Sequence, residues 1–133
     1  MRVVLDASAL LALLGDEPGA ERVEEALEEG AYLSAVNLAE VLSKLAERGV
    51  DPVSARAEME REGLLGALVE VVPFGEEDAL EVARLRPLTR FAGLSFGDRA
   101  CLALARRLGL CALTADRSWA ELDLGVRVEV LRS

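Results

Sequence analysis

The chain has 133 residues, the size of one domain, with 52% hydrophobic, 29% charged and 4% aromatic residues. That composition excludes a disordered chain, needs no disulfide or metal staple, and points to a core of Leu, Val and Ala. A net charge of −9, from 24 acids against 15 bases, excludes nucleic-acid binding by bulk attraction, and the lack of any histidine excludes Ser-His and Cys-His catalysis and His-ligated zinc.

Arg2–Leu5 is a short Val-rich run that predicts a buried strand. Asp6 follows as N-cap of a helix over Ala7–Leu14. Glu17–Glu29 reads as a second helix, with Pro18 tolerated in its first turn and Gly30 as its stop. A strand over Ala31–Leu33 leads into a helix over Ser34–Arg48, closed by Gly49. Asp51-Pro52 reads as N-cap and first position of a helix reaching about Leu65. Leu68–Val72 is a strand ended by Pro73, and Glu76–Arg86 is a helix stopped before Pro87. Thr89–Leu94 reads as a loop, and Ser95 starts a helix to Leu108 with Gly109 behind it. Leu110–Thr114 is a strand, Asp116–Leu122 a short helix and Val126–Leu131 a last strand.

This alternation of strands and helices predicts an α/β fold: one parallel sheet of about five strands in a single domain, with helices on both faces. In such sheets ligands bind beyond the carboxyl ends of the strands, where the strand order reverses. The N-terminal run is interrupted by Asp6 and lacks a small-residue cleavage site, and no apolar run has membrane-spanning length. Cys101 and Cys111 read as small core residues in a reducing compartment, so the expected location is the cytoplasm.

Four acids fall where that edge should be. Asp6 and Asp116 each close a strand and open a helix. Asp98 lies in the first turn of the helix from Ser95, and Glu40 in the second turn of the helix after strand two. Each has a plain structural reading as well. Asp6 and Asp116 serve as N-caps worth about 1 kcal/mol each. Ser95 to Asp98 spells a capping box, and Glu40 with Lys44 fits an i,i+4 ion pair. On a helical wheel, however, Asp98 lies on the apolar side beside Leu102 and Ala105, away from Arg99, Arg106 and Arg107. Glu40 falls on the polar side with Lys44 and Glu47, so the wheel does not place it in a site. Two carboxylates about 5 Å apart repel by roughly 3 kcal/mol at an effective dielectric of 20. Clustered acids therefore take up protons or bind a cation. Oxygen ligands alone favour Mg²⁺ or Mn²⁺, which can activate a water and stabilise the leaving oxygen of a phosphodiester.

The segments DASAL from Asp6, NLAEV around Glu40, LSFGDRACLALA around Asp98 and LTADRSW around Asp116 resemble the PIN-domain ribonucleases, in particular VapC-type toxins of toxin–antitoxin pairs. The resemblance covers essentially the whole chain, with the motifs in the same order. It implies a helix-sandwiched parallel sheet and an endoribonuclease with Asp6, Glu40, Asp98 and Asp116 around Mg²⁺ or Mn²⁺. In such proteins Asp6 and Asp98 would be the core ligands, with Glu40 and Asp116 assisting, often through water. Ser8 and Thr114 match supporting hydroxyl residues. The resemblance also implies a homodimer, an RNA substrate and a small antitoxin that wraps the toxin. Arg99 and Arg117 are the candidate RNA contacts, while Trp119 reads as packing.

Other readings compete. A receiver-type signalling domain would carry an acidic pair after strand one and a late lysine, whereas Asp6 is followed by Ala7 and the sole lysine is Lys44. A haloacid-dehalogenase phosphatase would carry a second Asp where Ser8 stands. An RNA-processing nuclease of the same fold, or a non-catalytic binding module, stays open. An adjoining reading frame for a small DNA-binding protein would favour the toxin.

Overall fold

The computed structural model describes residues 1–132. Five strands, β1 (Val3–Leu5), β2 (Ala31–Ser34), β3 (Val69–Val72), β4 (Cys111–Thr114) and β5 (Val128–Val130), form one sheet in the order β3-β2-β1-β4-β5. Every pairing is parallel, with Leu5 opposite both Leu33 and Leu113. Successive residues of β1 divide between two cores, as the period of two requires. Val3 and Leu5 join Leu10, Leu33, Val41 and Leu113 on one side, and Val4 joins Leu102, Leu104, Ala112 and Trp119 on the other. Both faces of the sheet are thus covered, which is why the central strand β1 reads as a continuous apolar run, whereas the edge strands β3 and β5 carry Glu70 and Glu129.

Six helices cover it: α1 (Ala7–Leu14), α2 (Ala20–Leu27), α3 (Ala35–Glu47), α4 (Pro52–Arg61), α5 (Glu76–Thr89) and α6 (Phe96–Leu108). The chain winds outward through β2 and β3, then returns to place β4 on the other side of β1. The reversal of strand order therefore lies between β1 and β4, and Asp6 and Asp116 follow those two strands.

The last strand is shorter than expected, Val128–Val130 rather than Val126–Leu131, and three helix ends differ from the expectation. Helix α2 starts at Ala20 rather than Glu17, because Gly19 takes a left-handed φ of 99°. A Cβ at Gly19 would lie 2.8 Å from that of Leu131, so only glycine fits the turn there. Helix α4 stops at Arg61, since Gly63 turns left-handed two residues on. Helix α5 runs through Pro87 to Thr89. The ring is exposed, and the Thr89 hydroxyl donates 2.9 Å to the Leu85 carbonyl, which keeps the last turn closed. A 3₁₀ turn over Arg90–Ala92 then occupies part of the expected loop.

No helix among the described residues is long and apolar enough to cross a membrane. Cys101 is fully buried and Cys111 half-buried, both as free thiols.

Candidate active site

Asp6 leaves β1 at the seam with β4 and is 3% exposed. Its backbone N–H donates 3.1 Å to the Leu113 carbonyl, which fixes the chain as it turns into α1. Its carboxylate accepts three hydrogen bonds. The Ala9 N–H and the Ser8 hydroxyl reach Oδ1 at 2.8 and 2.7 Å, and the Thr114 hydroxyl reaches Oδ2 at 2.5 Å. The two hydroxyls in turn accept from the next loop: Ser8 from the Ala115 N–H at 2.9 Å, and Thr114 from the Asp116 N–H at 3.0 Å. Ser8 and Thr114 therefore stitch the ends of β1 and β4 together around one carboxylate.

Burial nevertheless dominates the acidity of Asp6. It raises the pKa from 3.8 to about 6, against the three hydrogen bonds that pull it down, and the charge of Asp98 adds to the rise. Asp98 is raised as well, first by burial and then by the charge of Asp116. These couplings place Asp6, Asp98 and Asp116 within electrostatic reach of one another. Asp6, Ser8, Glu40, Lys44, Asp98 and Asp116 line one hollow of about 190 Å³ at the carboxyl edge of the sheet. A larger hollow of about 440 Å³ between α3 and α4 holds no comparable acidic set.

The plain structural readings hold for three of the acids and fail for the fourth. Asp6 and Asp116 are N-caps, the latter accepting from Ser118 at 2.9 Å. Asp98 closes the capping box with Ser95 through bonds of 2.9 and 3.1 Å. All three nevertheless line the hollow. Glu40 makes no ion pair with Lys44; its Oε1 accepts 2.8 Å from the Asn37 amide.

The wheel treats α3 as having one buried face, but α3 packs against α1, α4 and α6 together. That crowding holds Glu40 half-buried against α6. The fully buried Asn37 amide also donates 3.0 Å to the Gly97 carbonyl, so one side chain joins Glu40 to the first turn of α6. A Cβ on Gly97 would lie 2.2 Å from the Glu40 carboxylate. Asn37 and Gly97 were not among the expected site residues. Both stand inside the motifs quoted above, and a polar residue three before Glu40 was the available signal.

Arg99 does not take the place expected of an RNA contact. It is 8% exposed and donates 3.0 Å to the Val82 carbonyl of α5, because α5 covers the side of α6 that the wheel leaves to solvent. Arg107 likewise clamps Asp78 of α5 with bonds of 2.9 and 3.2 Å. Arg117 is exposed beside Asp116 and makes no ion pair among the described residues. Trp119 is fully buried in the core beneath α6.

The residues fit a hard divalent ion in a particular way. Asp98, Asp116 and Glu40 each have one oxygen held by a donor of the chain and the other without one among the described residues. No three acids or thiols among the described residues already form a closed ligand cage. An ion that keeps several waters and takes one or two direct carboxylates suits that open spacing.

A family model described as PIN domain matches residues 3–124. No curated protein matches. Among solved structures, FitAcB from Neisseria gonorrhoeae is 24% identical, with 97% of each chain covered and a TM-score of 0.70. VapC20 from Mycobacterium tuberculosis, described as a sarcin–ricin loop cleaving toxin, is 20% identical, covering 94% of this chain and 98% of its own at 0.71. DNA-bound VapBC from Salmonella typhimurium is 18% identical, with 98% of each chain covered at 0.71. At such identities the likeness is one of fold, and it agrees with the topology above. The sheet order, the acids gathered at the β1–β4 seam and a family match over nearly the full length place this chain in the PIN-domain family.

Proposed function

We propose that the chain is a Mg²⁺- or Mn²⁺-dependent endoribonuclease and the toxin of a toxin–antitoxin pair. In this reading it works in the cytoplasm as a homodimer restrained by a small antitoxin. The observation that carries the nuclease is the buried Asp6 at the reversal of strand order, with Asp98, Asp116 and Glu40 around the same hollow. The antitoxin is supported by the solved neighbours, several of which are toxin–antitoxin complexes.

Asp6 and Asp98 would hold the ion directly, with Glu40 and Asp116 reaching it through water. A bound divalent ion lowers the pKa of water and neutralises charge on the phosphodiester. The chain's own residues keep the ligands in place. Ser8, Thr114 and the Ala9 N–H fix the orientation of Asp6. Asn37 holds Glu40, and Ser95 holds Asp98. At neutral pH Asp6 is mostly ionised, and a cation displaces the remaining protons. Lys44 lines the hollow and Arg117 is exposed next to Asp116 in the chain, and these are the basic side chains offered to phosphate.

The test is cleavage of RNA by purified protein with Mn²⁺ and with EDTA, run on the parent and on Asp98→Asn. Cleavage by the parent that needs the metal and disappears in the variant is expected. Equal cleavage by both overturns the assignment.

A further inference from the structure

The chain has five aromatic side chains, and the fold uses three of them. Trp119 is fully buried, and Phe74 packs on Val82, Ala100 and Ala103 of α5 and α6. Tyr32 is covered by the guanidinium of Arg2, 5.4 Å from its ring centre. Phe91 and Phe96 are left exposed. Of these two, Phe96 opens the helical turn that carries Asp98.

Gly97 stands between Phe96 and Asp98, and the Glu40 carboxylate lies against it where a side chain would begin. Successive helical residues leave the axis about 100° apart. Phe96 and Asp98 therefore flank the strip of α6 on which Glu40 rests. The ring of Phe96 meets that of Phe74 at 5.6 Å between centres and 69° between planes. That contact braces the ring, while Phe96 stays 49% exposed. A side chain already held by a neighbour has less freedom to lose when something binds it.

Such a ring answers a shortage in the site. With a net charge of −9, the chain offers the hollow Lys44 and, next to Asp116, Arg117, while Arg99 is buried. Phosphate contacts therefore supply little of the grip on RNA. Stacking on an aromatic face needs no charge and accepts any base.

We propose that Phe96 is the platform on which one unpaired base of the RNA stacks, next to the bond that is cut. The stack holds the strand with its phosphate beside Asp98 and Glu40. The proposal rests on the nuclease reading above and adds to it a residue that binds substrate rather than metal.

The experiment measures cleavage of short oligoribonucleotides with Mn²⁺ by the parent, Phe96→Ala, Phe96→Leu and Phe96→Trp. Thermal melts and light scattering check that fold and mass are unchanged. The Ala and Leu variants should raise KM at least about tenfold and leave kcat unchanged, the pattern of a lost uniform binding contact. Phe96→Trp should retain the parent's KM. Oligonucleotides with one abasic position each should locate the stacked base: at one position the parent loses the same factor, and Phe96→Ala loses nothing further. A second readout needs no cleavage. With Ca²⁺ in place of Mn²⁺, 2-aminopurine placed at each position in turn should lose fluorescence on the parent at one position, and not on Phe96→Ala.

A parent that cuts while Phe96→Ala and Phe96→Leu cut with unchanged KM overturns the stacking and leaves the nuclease reading standing. A Leu variant equal to the parent overturns it too, since an apolar contact then suffices. So do abasic losses that add to the Ala loss at every position. If Phe96→Ala changes the mass or loses a co-expressed antitoxin with KM unchanged, the ring belongs to a protein contact and the proposal fails. If the parent cuts nothing, the nuclease reading fails, and the fluorescence alone decides whether a base stacks on Phe96.

Discussion

Three donors favour the charged form of Asp6, yet its pKa rises to about 6, so desolvation outweighs them. The consequence for stability has a definite sign. In the unfolded chain the carboxyl loses its proton near 3.8; in the folded one it keeps it to about 6. The folded state binds the extra proton between those values, so stability falls as pH rises through that window and levels off above it. A rise of about two units corresponds to roughly 3 kcal/mol. Asp98, also raised, acts in the same direction. Melting in EDTA should therefore be lower at pH 7 than at pH 4.5, by an amount on the order of 10 °C. Asp6→Asn should flatten most of that difference. A parent whose melting point climbs from pH 4.5 to 7 would contradict the burial argument. With Mn²⁺ present, Asp6→Asn should also lower cleavage to the level measured in EDTA while keeping the fold. Asp6 was legible from sequence because a lone acid ending an apolar strand has few other places to go. Its two hydroxyl partners lie 2 and 108 positions away, and only pairing of β1 with β4 brings the second one near.

Helix α6 shows what a helical wheel captures and what it misses. The wheel put Asp98 on the buried side, and Asp98 does line the hollow. It put Arg99 in solvent, and Arg99 is buried under α5. The pattern of one helix cannot reveal a second helix packing on its polar face, and the same blindness hid Glu40 on α3. The central strand β1 was legible for the opposite reason, since burial on both faces leaves an unbroken apolar run. Helix ends shifted by a few residues where Gly19 and Gly63 turned the backbone, and where Pro87 did not stop α5. Gly97 is the sharpest case at this scale, because its lack of a side chain serves the neighbouring helix rather than its own. Alanine is the better helix former by up to about 1 kcal/mol, so Gly97→Ala should leave the melting point unchanged or raised. The added methyl would displace the Glu40 carboxylate, which is the mobile end of a side chain and yields before the backbone does. Cleavage should fall at least about tenfold while stability holds, read by a kinetic assay and a thermal melt on the same sample. A variant that keeps full activity would show that the position of Glu40 does not matter to the reaction.

Taken whole, an acidic protein proposed to cut a polyanion must avoid repelling it. The charge is unevenly spread along the chain. From Val82 to Ala115 there are six arginines and one acid, Asp98, so most of the surplus negative charge lies elsewhere. Several of those arginines are spent on structure: Arg84 and Arg106 pair with Glu81, Arg107 with Asp78, and Arg99 is buried. Few remain to meet phosphate, and that shortage is why bound cations matter for the molecule as a whole. A specific site and general screening of a net charge of −9 make different predictions. Screening by monovalent salt acts on exposed charges over about 8–10 Å and is insensitive to any one carboxylate. A site that binds only the folded chain stabilises it by about 2.7 kcal/mol when Mn²⁺ is a hundred times its dissociation constant. That is several degrees in melting temperature. Melts at matched ionic strength should show this rise with Mn²⁺ and not with K⁺, and Asp6→Asn or Asp98→Asn should remove most of it. If K⁺ reproduces the rise, or if both variants keep it, the acids at the β1–β4 seam are not where the ion binds.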